Sequence, residues 1–203
     1  DLSTQEHART ADATQRAEGK TSGEIFVAVA RASGDYRMLP ILWAAFATLL
    51  GGFVSAALSP GMAAGAHALG QGLIFLALAA LASIPALRMR FVPAAVRRAR
   101  AEARAREQFL AHNLHATDAR TGVLIFVSLA ERHAEIIADA GIDSRVPENF
   151  WAAIVDRLTA EIAAGRLAEG LVQAVEECGA ALAEHFPPSW DDENELPDRV
   201  VEI

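Results

Sequence analysis

Residues 27–50 read VAVARASGDYRMLPILWAAFATLL, and the fold turns on how different the two ends of this stretch are. Val27 to Ala30 continue an apolar run that begins at Ile25, bounded by Gly23 on one side and Ser33-Gly34 on the other, which is the pattern of a buried strand. From Met38 to Leu87 the chain then passes without a single Asp, Glu, Lys or Arg. One bilayer crossing needs ~20 apolar residues, so this span has room for two. A soluble strand and a lipid-like segment stand almost next to each other. The economical reading is a domain that opens, admits an inserted hairpin, and resumes afterwards.

The first apolar segment, about Leu39 to Leu58, carries Trp43 near its start, where an indole suits the headgroup layer. SPGMAAG at 59–65 supplies Pro60 and two glycines as a turn, and the second segment runs from about His67 to Leu87. Gly51-Gly52 and many alanines allow two helices to approach closely, as helices in lipid do. The alternative, an Ala-rich soluble hairpin, would need more covering surface than a chain of 203 residues offers. Arg31 and Arg37 stand before the first segment, and Arg88, Arg90, Arg97, Arg98, Arg100, Arg104 and Arg106 follow the second, while the connecting loop is uncharged. The positive-inside rule then places both termini and the α/β domain in the cytoplasm, with the hairpin crossing the inner (cytoplasmic) membrane twice. Anionic lipid headgroups are the expected partner of the Arg-rich segment. A net charge of −8 and the lack of interleaved aromatics argue against nucleic acid. No signal peptide is read, because the first apolar run lies behind a charged amphipathic segment.

The remainder reads as a small α/β unit. Ser3 followed by Glu6 is a capping-box pattern that opens a first helix ending near Gly19. TGVLIFVSLAERHAEIIADAGI at 121–142 forms two apolar strands joined by a polar turn at Glu131-Arg132. From Val146 onward two amphipathic helices are broken at Gly165, with Pro147 at a helix start and Phe150, Trp151, Ile154, Val155 and Leu158 on one buried face. Cys178 is the single cysteine, which excludes an internal disulfide and reads as a buried, reduced thiol. Domain boundaries follow: 1–37 with 91–187 as a discontinuous α/β domain, 38–90 as the transmembrane hairpin, and 188–203 as an acidic tail. Within that tail Trp190, Val200, Val201 and Ile203 are able to dock either on the domain or on another protein, and residues 191–199 read equally as disordered.

At this point the order of elements becomes familiar. Helix, strand, helix, strand hairpin, helix, helix, centred on RTGVLIFVSLAERHAEIIADAGIDSRVPE at 120–148, resembles the TPM domain family, named for a thylakoid lumen protein, a photosystem repair protein and a worm receptor modulator. More narrowly it is similar to the bacterial membrane-bound branch, over about 2–36 and 94–187. The resemblance implies an α/β fold, a three-layer α/β/α sandwich on a small mixed sheet, here interrupted by an inserted transmembrane helical hairpin. For some relatives it also implies weak acid phosphatase activity and binding of calcium or another divalent cation. The family core reads acidic-Asn-Gly before the second strand and Gly-Tyr-Gly-Leu-Glu after the third. Here the corresponding residues are Arg120-Thr121-Gly122 and Asp139-Ala140-Gly141-Ile142-Asp143, with Glu148 where relatives often carry Asp.

A crossover helix between the first two strands would make them parallel, with their C-terminal ends toward the bilayer and the opposite rim toward the cytosol. Glu24, His115, Asp118, Arg120, Asp139 and Asp143 belong to that distal rim. The four carboxylates with His115 form a candidate metal site for a hard cation, and Arg120 a candidate phosphate contact. The plainer reading makes the same residues turn formers and helix caps, with Asp143 capping the approach to the next helix. His112 and His115, three apart, would form a metal-ligand pair if the crossover helix ran through both. No Gly-x-Ser-x-Gly elbow surrounds Ser22, Ser33, Ser83, Ser128 or Ser144, and neither a Walker loop nor a dinucleotide fingerprint occurs. Two functions are therefore expected first, beside a third, lipid sensing or organising through the Arg-rich helix. One is a membrane-anchored, non-catalytic interaction or scaffold module working with another envelope or membrane protein. The other is a divalent-metal-dependent phosphatase or phosphoester hydrolase acting at the membrane-distal rim.

Overall fold

The computed structural model describes residues 2–84, 89–117, 120–188 and 200–203. The chain divides into two compact units, Asp1–Ser33 with Arg98–Ile203, and Gly34–Arg97.

The first unit is built around β1 (Ile25–Ala30), in which every residue is buried. β1 pairs in parallel with β2 (Val123–Ser128), Ile25 opposite Val123 and Ala30 opposite Ser128. β2 turns back through residues 129–132 into antiparallel β3 (His133–Ala138). Arg132 takes a positive φ in that turn. The far edge of β1 is covered by β4 (Val201–Glu202), so the mixed sheet runs β3-β2-β1-β4. The end of the stretch read as an acidic tail thus docks on its own domain. The Ile203 N–H donates to the Val29 carbonyl, and the Arg31 N–H donates to the Ile203 carbonyl.

Strand alternation divides the core into two layers. Ile25, Val27, Val29, Val123, Ile125 and Val127 face one side, packed with α1 (Thr4–Glu18), α6 (Phe150–Ala163) and α7 (Leu167–His185). Phe26, Ala28, Ala30, Leu124 and Phe126 face the other side, where Ala101 and Ala105 of α4 (Ala94–Ala111) are fully buried. Small side chains on α4 let it lie close to the sheet. The result is a three-layer α/β/α sandwich on a small mixed sheet. The expected capping box is present: the Glu6 N–H donates to Ser3 Oγ and the Ser3 N–H donates to the Glu6 carboxylate. Gly179 of α7 presses on Ala17 of α1 with no room for a Cβ. Cys178 is buried beside it, and burial pushes its thiol far up, as expected of an inert core cysteine.

Some boundaries differ from the sequence reading. α6 begins at Phe150, because Pro147 to Asn149 form a preceding turn. A short α5 (Ala140–Asp143) follows β3, capped by Asp139, whose carboxylate accepts from the Ala140 N–H. At the next helix, where Asp143 was expected to cap the approach, Asn149 holds the N-cap position without a side-chain bond. α4 stops at Ala111, and Asn113 takes a positive φ. His112 and His115 consequently lie in the turn after the helix. The His112 ring stacks on Phe26 with centroids 4.1 Å apart, so the helical metal-ligand pair does not form.

The second unit is a hairpin of α2 (Met38–Leu58) and α3 (Ala64–Ala82) joined by a short uncharged turn. α3 starts three residues before the expected His67. Both helices are long and apolar enough to cross a membrane. Their large apolar side chains point outward: Phe46 is 61% exposed and Phe53 78%. A buried hairpin of a soluble core would cover these residues.

Edge strand β4 rests on one carboxylate. Glu202 Oε1 accepts from the Leu2 N–H at 3.1 Å and from His7 Nε2 at 3.1 Å. The Leu2 bond first, then the His7 bond, holds this carboxyl below its ordinary value. A depressed native pKa means that the contribution is present above the usual carboxylate range and is lost as pH falls through that range to the native value. Protection factors of the Ile203 and Arg31 amides, corrected for the intrinsic pH dependence of exchange, are expected to fall on acidification through that window. Glu202→Gln should give the lower protection factors already at neutral pH.

Candidate functional site

The rim formed by the N-terminal ends of β1 and β2 and the C-terminal end of β3 gathers most of the residues singled out from sequence. Hydroxyls shape it. The Thr21 hydroxyl donates to the Phe186 carbonyl at 2.6 Å, and the Gly23 N–H donates to Thr21 Oγ1 at 3.1 Å. On the neighbouring segment the Thr121 N–H donates to Thr117 Oγ1 at 3.1 Å. The turn entering β2 needs two special residues. Arg120 takes a positive φ of 55°, and at Gly122 an added Cβ would collide with the Leu114 carbonyl.

At the centre of this rim Arg120 meets Asp139. Nε donates to Oδ2 at 3.3 Å and Nη2 donates to Oδ1 at 3.2 Å, a two-pronged contact. The Asp139 side chain is only 6% exposed, whereas that of Arg120 is 61% exposed. Backbone bonds hold the two in register: the Asp139 N–H donates to the Gly122 carbonyl and the Gly141 N–H to the Arg120 carbonyl. Asp139 Oδ1 also accepts from the Ala140 N–H at 2.7 Å. Both carboxylate oxygens are thus engaged, and a cation is already in place.

The other candidates do not converge on it. Asp143 is exposed and accepts from Trp151 Nε1 at 3.0 Å, tying α5 to the start of α6. Glu24 is buried at the entrance to β1, where its carbonyl accepts from the Val123 N–H. His115 is exposed in the turn after α4, and Asp118 lies outside the described residues. Among the described residues no three His, Cys, Asp or Glu side chains come together to hold a metal ion. Among the described residues, the donors brought together here do not offer the several free oxygens that a hard divalent cation needs. For a phosphate, Arg120 has N–H groups left over, but its charge is already balanced by Asp139.

The opposite rim carries a cluster that the sequence reading treated only as a polar turn. Glu131 is 6% exposed although it lies in the β2–β3 turn. It accepts from the Ser33 N–H at 3.0 Å and from the Ser128 hydroxyl, while Ser33 Oγ and Ser128 Oγ lie 2.7 Å apart. The exit of β1 is thereby fastened to the β2–β3 turn. Beside it, a cleft of about 500 Å3 is lined by Leu129, Arg132, His133, Thr159 and Ile162, among others. His133 Nε2 contacts Glu135 at 3.3 Å. No hydrogen bond joins His133 to Ser128, so no Ser-His relay forms. The only sequence signal for this cluster was the three-residue spacing of Ser128 and Glu131; its third member, Ser33, is far away in the chain.

A family model described as "TPM domain" matches residues 86–181. It covers most of the second of the two blocks expected from sequence, as far as residue 181, and leaves out β1. Among solved structures, the NMR structure of the BA42 protein from the psychrophilic bacterium Bizionia argentinensis is similar in fold, with a TM-score of 0.62 at 22% identity, covering 100% of this chain and 95% of that one. Comparison with curated proteins finds no match.

Removing the cation from the first rim should leave a nearly buried carboxylate without its partner. Arg120→Ala is expected to lower stability by about 1–2 kcal/mol, the lower part of the range for an orphaned charge because Arg120 itself is well exposed. Denaturant unfolding of Arg120→Ala, Asp139→Asn and the double variant checks this: coupling between the two sites should make the losses less than additive.

Proposed function

We propose, from the premise that this chain carries a TPM domain over residues 86–181, that it is a membrane-anchored, non-catalytic interaction module. The observation that carries this reading is the Arg120–Asp139 ion pair. Where the resemblance leads one to expect an acidic residue before the second strand, Arg120 supplies a built-in cation that engages the carboxylate after the third. The rim is closed by charge pairing within the chain. A phosphatase of the metal-dependent kind needs that carboxylate free to bind a metal, and needs a nucleophile or activated water placed against it. On the opposite rim Ser128 and His133 form no relay, which supports the same reading.

Anchoring rests on α2 and α3, both long and apolar enough to cross a membrane. Arginines flank the pair on both sides and are absent from its turn, which supports a cytoplasmic location for both termini and the domain. Along α4, Arg98 and Arg106 pair with Glu102, and Arg104 with Glu107. Arg90, Arg97 and Arg100 have no ion-pair partner among the described residues, and Phe91 and Val96, next to Arg90 and Arg97 in sequence, are exposed. Unpaired cations beside apolar side chains suit anionic headgroups. The partner of the domain itself is another membrane or envelope protein.

Calorimetric titration of the detergent-solubilised full chain with calcium and with manganese tests the non-catalytic reading. No binding up to millimolar concentration is expected. Micromolar binding abolished by Asp139→Ala or Asp143→Ala would overturn it in favour of the hydrolase. Topology is checked separately with C-terminal reporter fusions, which are expected to be active only with a cytoplasmic reporter.

A further inference from the structure

Within the two apolar helices, apart from Trp43 near the start of α2, the polar side chains are Thr48, Ser55, His67 and Gln71. Three of them are satisfied inside the hairpin. The Thr48 hydroxyl donates to the Ala44 carbonyl at 2.7 Å. Ser55 Oγ and His67 Nδ1 share a hydrogen bond at 3.2 Å, and His67 Nε2 lies 3.3 Å from the Ser59 carbonyl oxygen. The carboxamide of Gln71 has no hydrogen-bond partner among the described residues.

Gln71 lies across α2 at Gly52, where an added Cβ would overlap its amide. It borders a groove of about 190 Å3 between the helices, with Thr48, Ser55, His67 and Ile74 also on its walls. Gly51 and Gly70 line the same groove, and a Cβ at either would meet nothing within 4 Å. Gln71 is the eighth residue of α3, roughly 10 Å along the axis from the turn, too deep for its short side chain to reach water past the helix end. In a bilayer an amide at that depth faces either hydrocarbon or a protein partner, and hydrocarbon offers no hydrogen bonds.

We propose that this groove is the contact surface for a second copy of the same hairpin, and that the two Gln71 carboxamides pair across a twofold axis along the membrane normal. The argument for a second copy is chemical and geometric. A carboxamide carries both donor and acceptor, so two of them related by a twofold satisfy each other. Copies inserted in the same orientation hold Gln71 at equal depth, so the symmetry brings the amides level. Gly51 and Gly70 leave the space a crossing helix needs. The proposal rests on the hairpin lying in a bilayer, and it is independent of what the α/β domain does.

The test uses the full chain in phosphatidylcholine vesicles. Flotation with the vesicles first reads insertion alone. Dimerisation is then followed by energy transfer between labelled copies as lipid is added. Gln71→Leu is expected to raise the dissociation constant about tenfold, whereas Gln71→Asn should stay near wild type. Under mild oxidation, Gly70→Cys should cross-link and Leu69→Cys, about 100° round the helix, should not; Cys178 is buried and gives little background. Circular dichroism melts confirm that the variants fold. A chain that floats with vesicles yet stays monomeric at every lipid ratio would overturn the dimer while leaving the anchor intact. Equal dimerisation by Gln71→Leu, or equal cross-linking at positions 69 and 70, would also overturn it.

Discussion

Everything in the α/β unit depends on a strand that cannot complete itself. β1 is buried along its whole length, and both of its edges are hydrogen-bonded in parallel. A parallel neighbour has to arrive by a long connection, and both of them do: β2 after the hairpin and α4, β4 from the last residues of the chain. Burying an Ile, Phe or Val contributes ~1.5–3 kcal/mol each, against a net stability on the order of 5–15 kcal/mol for a whole domain. Losing either neighbour would expose backbone groups along a buried strand.

That dependence explains where an insertion can be tolerated. The cost of closing a loop grows only slowly with its length, about 0.6 kcal/mol per doubling, and a hairpin that packs upon itself adds little disorder. What matters is that the two ends of the interruption are held. Ser33 is held through its backbone N–H by Glu131, which also accepts from Ser128. The α/β unit resumes at Arg98, within α4, whose Ala101 and Ala105 lie in the second core layer. The buried carboxylate in the β2–β3 turn is therefore a structural fastening for the point where the chain departs from the sheet.

Charge on the opposite rim follows from a similar local demand. Arg120 occupies the positive-φ position of a turn that Gly122 closes against Leu114, and this backbone course puts its guanidinium on Asp139. Asp139 in turn caps α5. One residue pair thus settles a turn, a helix start and the electrostatics of the rim at once. A free divalent site and this arrangement compete for the same carboxylate.

Patterning alone determined the hairpin insertion, the first capping box, the two strands around Glu131-Arg132 and the inert cysteine, because each is encoded over a few neighbouring residues by hydrophobic period, turn chemistry or the absence of charge. It also pointed to the rim residues Arg120 and Asp139. It did not reveal that they bind each other, since they are brought together by the register of two strands. Nor did it show that Val201–Glu202 completes the sheet, that Ser33 joins Glu131, that Asp139 caps a short helix after β3, or that the crossover helix stops before His112. Those outcomes depend on which distant groups meet when β1 is buried. Local sequence carries the period of an element, but only tertiary packing decides which of its polar atoms find partners and which, like the Gln71 amide, do not find one within the chain.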